Sequence, residues 1–99
     1  MKIPKSFKLF SRDIRVVYDD EQMDKESAYG FCDHEEGEIT LTKKHKYNIL
    51  SDELITQTFY HEKVHMILFE MQENELSYNE KFVDIFAKLL RQSDETAKY

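Results

Sequence analysis

Apolar positions along this chain change their period once. Phe7, Leu9, Ile14, Val16 and Tyr18 lead the first segment, and alternation is clearest at its end, where Arg15 and Val17 oppose Ile14, Val16 and Tyr18. That pattern predicts a strand over 7–18, with an interruption near Ser11-Arg12. Residues 19–25 are polar and acidic and read as a loop. Two short strands are predicted over 28–32 and 38–42. The polar stretch Asp33-His34-Glu35-Glu36-Gly37 closes them into a hairpin, because Gly supplies the positive φ of a tight turn. In the second of these strands Ile39 and Leu41 share one face, and residues 43–50 form a connection.

From residue 52 the period lengthens. Ser51 is placed as an N-cap, and Asp52 and Glu53 complement the positive end of a helix dipole. No Gly or Pro interrupts 52–71. Leu54, Phe59, Val64, Met66, Ile67, Leu68 and Phe69 make that helix apolar over much of its circumference, as suits a centrally buried helix. Residues 72–75 are a polar break. A second helix follows over 78–92, in which Phe82, Phe86, Leu89 and Leu90 fall at i, i+4, i+7 and i+8, a stripe expected to pack on the first helix. Residues 93–99 read as a frayed tail. Strands first and helices after predict an α+β fold in a single domain, 1–99. A small antiparallel sheet of about three strands packs on the long helix, and the second helix comes after it.

Composition narrows the partners. With 99 residues, 40% of them apolar and 34% charged, the chain suits one globular domain. The net charge of −6 lacks the positive field that phosphate backbones require, so no nucleic-acid partner is expected. Lys43, Lys44 and Lys46 beside His45 read as a solvated turn. Cys32 is the single cysteine, so no internal disulfide is expected. The first residues lack the apolar run of a signal peptide, and no stretch approaches the ~20 apolar residues that cross a bilayer. A cytoplasmic protein without a membrane partner is the expectation.

The chemistry lies in His61-Glu62-Lys63-Val64-His65, an HExxH sequence inside the long predicted helix. Residues four apart share a helix face, so both imidazoles reach one ion. Zinc accepts neutral imidazole nitrogen, and Glu62 stands close enough to act on water at the metal without being a ligand. A catalytic zinc site needs a third protein ligand and an open position. Glu70 points poorly for this, and Glu73 and Glu75 lie in or near the turn. Glu80 opens the second helix, which folds back across the first. Ser77-x-x-Glu80 can alternatively be a capping box, which would engage the carboxylate on the backbone. Cys32 and His34, two residues apart and without partners, are a weak metal signal.

Asn79-Glu80-Lys81-Phe82-Val83-Asp84 is NExxxD, 14 residues beyond HExxH. The two motifs together resemble the gluzincin metallopeptidases, the clan of thermolysin, and most of all their minimal single-domain members. The chain is also similar to short HExxH proteins of phages and mobile elements, and loosely to the ImmA/IrrE peptidases. The resemblance spans about residues 29–92. It implies one zinc ion per chain held by His61, His65 and Glu80, with Glu62 as general base on the zinc-bound water. It implies a hydrogen bond from a ligand imidazole, that of His61, to Asp84. It also implies an upper edge strand, Glu38-Ile39-Thr40-Leu41-Thr42, that binds an extended peptide or protein substrate by β-augmentation. Larger gluzincins add an oxyanion-stabilising His or Tyr, for which Tyr78 and His45 are the candidates here. The implied activity is zinc-dependent peptide-bond hydrolysis. The alternative is a zinc-binding regulatory or interaction module of a phage or mobile element with little activity.

Overall fold

Short alternating segments at the start of the chain pair into a sheet, and the long apolar segment after residue 51 packs across it. In the computed structural model, which describes residues 3–99, the elements run β1 (Ser6–Leu9), β2 (Arg12–Tyr18), α1 (Asp20–Lys25), β3 (Gly30–Asp33), β4 (Glu38–Leu41), β5 (Lys44–His45), β6 (Asn48–Ile49), α2 (Asp52–Glu70), α3 (Asn74–Ser77) and α4 (Glu80–Thr96). The fold is α+β. Among the described residues no helix is long and apolar enough to cross a membrane.

The sheet differs from expectation in number and direction. The 7–18 segment is two strands: Phe10 takes a positive φ of 53° and turns the chain into a hairpin, with Phe7 opposite Ile14. The main sheet therefore has four strands in the order β1-β2-β4-β3, and β2 pairs with β4 in parallel. The β3–β4 hairpin forms as predicted, with Gly37 at φ 66° in its turn. The predicted loop over 19–25 contains α1 instead. Asp19 caps it by accepting from the Gln22 amide, and its one buried residue, Met23, gave too little pattern to see. The 43–50 connection carries the small β5–β6 hairpin.

This topology corrects the substrate strand. Glu38–Leu41 lies between β2 and β3, so both its backbone edges are occupied, and Ile39, Thr40, Leu41 and the following Thr42 are buried. A strand paired on both sides cannot accept another. The free edge beside α2 belongs to β3.

Ser51 caps α2 as predicted, its Oγ accepting from the Leu54 amide at 3.1 Å. The helix buries Ile55, Phe59, Tyr60, Val64, Met66 and Leu68 against Ile14, Val16, Ile39 and Leu41 of the sheet. It ends at Glu70; two residues on, Gln72 takes a positive φ of 62° and reverses the chain, while the Glu73 amide bonds the Leu68 carbonyl at 2.8 Å. The predicted polar break holds the short α3. Ser77 does not cap the last helix; Asn79 does, its Oδ1 accepting from the Phe82 amide at 3.1 Å.

Helix α4 extends four residues beyond its predicted end at 92, to Thr96. It crosses α2 antiparallel, with Arg91 bonded to the Glu53 carbonyl and Glu80 beside His65. The predicted packing stripe is also corrected. Val83, Ala87 and Arg91 form the buried face, whereas Phe86 is 47% and Leu89 60% exposed. Small side chains at 83 and 87 let the two helices approach closely; of the predicted stripe Phe82 and Leu90 still pack against the core, while Phe86 and Leu89 are turned outward.

Candidate metal centre

Three side chains converge where α2 meets the start of α4. His61 and His65, one turn apart, aim their Nε2 atoms at each other across 3.2 Å. Glu80, the first residue of α4, reaches both: Oε2 lies 3.1 Å from His61 Nε2 and Oε1 lies 3.3 Å from His65 Nε2. Its carboxylate is not spent on the backbone of Ser77, because Asn79 performs the capping. Around a tetrahedral zinc with bonds of ~2.0–2.1 Å, ligand atoms stand ~3.3–3.4 Å apart. The nitrogen–nitrogen spacing is close to that of a zinc coordination shell, and two imidazole nitrogens with one carboxylate are a donor set that could hold the ion. Among the described residues this is the one group of three or more His, Cys, Asp or Glu side chains whose ligand atoms converge so closely. The Glu80 side chain is 69% exposed, which leaves one side open to solvent.

The electrostatics favour the neutral form of His65. Burial, and then the neighbouring His61, hold His65 below the ordinary imidazole range. Ser77 Oγ, fully buried on α3, sits at hydrogen-bond distance, 2.9 Å, from His65 Nδ1, while Nε2 faces the cluster. Such a partner fixes the tautomer and ring orientation of a ligand. Ser77 was hidden in the sequence because Ser-x-x-Glu reads as a cap, and only the turn at Gln72 brings it back to α2.

Glu62 lies beside the cluster under β3. Burial pushes its carboxyl up to about 7, and the charge of Glu80 adds to the rise. It borders the cleft on both sides of the histidines. The close approach of β3 to this carboxylate depends on Gly30: a Cβ there would meet Thr58 Cγ2 at 2.6 Å and Glu62 Cγ at 3.2 Å.

No protein-family model, curated protein or solved structure matches the chain. The geometry alone therefore carries the functional reading.

The other predicted residues separate cleanly. Asp84 Oδ1 is 3.9 Å from His61 Nδ1, too long for a hydrogen bond, and its other oxygen pairs with Lys88 at 3.0 Å. Asp84 thus lies near His61 as a charge without bonding it. Tyr78 borders the cleft together with His61, His65 and Glu80, its ring edge-to-face with Phe69. His45 sits on β5 with its ring edge-to-face against Tyr29, a residue that lines the cleft beside His61 and Glu62. Cys32 and His34 do not form a site together: Cys32 Sγ contacts Met66 Sδ at 3.9 Å, while His34 bonds Glu70 at 2.9 Å.

Proposed function

We propose that this chain is a zinc-dependent peptidase of the gluzincin type. The observation that carries the reading is the convergence of His61, His65 and Glu80 at zinc-like spacing, with Glu62 beside them and bonded to none of them. A structural zinc site has no use for that fourth group, whereas hydrolysis requires a base next to the metal.

His61, His65 and Glu80 would hold the ion, and Ser77 would keep His65 in the ligating tautomer. Bound zinc supplies Lewis acidity, acidifying water and polarising a carbonyl. Glu62 accepts the proton of the attacking water at its carboxylate and passes it to the leaving amine. The free edge of β3 offers backbone donors and acceptors to an extended peptide, the role first expected of 38–42. Glu80 lies on the open side and leaves room for the scissile bond to approach.

The test compares zinc-loaded wild type with Glu62→Gln on a mixed peptide pool read by mass spectrometry. Cleavage by the wild type and a rate lower by about 10²–10⁴-fold in the variant, with zinc retained in both, supports the proposal. Equal cleavage by both proteins contradicts it. A wild type that holds zinc and cleaves nothing supports the second reading, a zinc-binding module.

A further inference from the structure

The cleft has a direction, set by how β3 lies on α2. Gly30 sits against Thr58 and Glu62, Cys32 against Met66, and His34 against Phe69 and Glu70. Strand and helix therefore advance the same way. A peptide added antiparallel, the more stable pairing, runs against both. Its N-terminal part then lies toward Phe69, its C-terminal part toward Thr58, and the bond between them crosses the histidines.

The two halves of the cleft differ. Toward Thr58 the walls mix polar and apolar groups, including Gln57, Tyr29 and Asp84. The cavity of about 400 Å³ over His61, His65 and Glu80 runs on toward Phe69 and Tyr78. The Phe69 ring stacks on His65 at 6.5 Å and meets Tyr78 edge-to-face at 6.0 Å. Tyr78 is 73% exposed, so much of its ring is open to a third aromatic group. Aromatic rings gain from offset or edge-to-face contact beyond their buried area.

We propose that Phe69 and Tyr78 form a specificity pocket for the residue preceding the scissile bond, and that it selects a bulky aromatic side chain. The proposal rests on the peptidase reading above. It assigns discrimination to the residue before the bond and leaves the residue after it loosely specified.

Two small hydroxamates separate this proposal from the reading beneath it. A hydroxamate chelates zinc, and in an acyl-amino-acid hydroxamate the amino acid occupies the side that precedes the scissile bond. Calorimetric titration of zinc-loaded protein with acyl-phenylalanine and acyl-glycine hydroxamates is expected to show at least tenfold tighter binding of the first. Tyr78→Ala should remove most of that preference with zinc content still at one ion per chain, and Tyr78→Phe should keep it. Equal affinities, or a preference that survives Tyr78→Ala, overturn the pocket and leave the peptidase reading standing. If neither compound binds protein that carries one zinc, the open coordination position is absent and both inferences fall.

Discussion

Helix α2 carries two histidine–glutamate clusters, and they have opposite characters. At its centre, two imidazole nitrogens face each other at 3.2 Å with Glu80 spanning them. At its C-terminal end, His34 donates to Glu70 at 2.9 Å, and Arg12 approaches the same carboxylate oxygen at 3.4 Å. Arg12 also bonds the carbonyls of His34 and Glu35. The second cluster is electrically complete: one carboxylate, one guanidinium, and a proton on the imidazole. It clasps the β3–β4 turn to the helix. Among the described residues no Lys or Arg pairs with the first, whose two facing imidazole nitrogens share one carboxylate. Residue types alone do not separate the two clusters; the geometry of their nitrogens does, and only the first is a group that could hold a metal ion.

The largest effect that could break this comparison is loss of the ion. His65→Ala should lower zinc affinity more than a hundredfold, while His34→Ala should leave it unchanged; equal losses would mean the clusters do not differ. Ser77→Ala should weaken zinc binding about 10–100-fold, the usual cost of removing a group that orients a ligand, with the fold intact by circular dichroism. An unchanged affinity would reduce Ser77 to a packing residue.

Smaller effects belong to the clasp. Arg12→Ala leaves two carbonyls without their donor and should cost about 1 kcal/mol, or roughly 4–8 °C in Tm, without altering zinc binding. Smallest is the pH dependence. The His34 hydrogen bond, and then Arg12, hold Glu70 below its ordinary value of 4.5. Glu70 therefore adds stability above that value and loses it as pH falls through its lower folded value. In acid titrations at fixed metal load, Glu70→Gln should show a shallower fall in Tm below pH 4.5 than wild type. Identical curves would remove the clasp from the account.

The half of the molecule that carries His61, His65 and Glu80 was the more legible in sequence. His61 and His65 lie one turn apart on a continuous helix, so local geometry sufficed, and the Ser51 cap marked where that helix begins. Glu80 needed a second motif and the turn at Gln72, a non-glycine left-handed residue that no composition rule singles out. Strand order was not legible. Alternation in Ile39-Thr40-Leu41-Thr42 predicts a strand but not its neighbours, and buried threonines hide the fact that both of its edges are covered. The stripe on α4 misled for a physical reason. Bulky apolar residues were read as the buried face, but close helix packing selected Val83 and Ala87.

The central claim is one zinc ion per chain on His61, His65 and Glu80. It is tested most directly by titrating chelator-stripped protein with zinc, in competition with a chromophoric chelator, alongside Glu80→Ala. The account predicts one tight site per chain, sharply weakened in the variant while the helices persist. Less than a tenth of an ion per chain in zinc-saturated wild type, or equal affinity in Glu80→Ala, would contradict it.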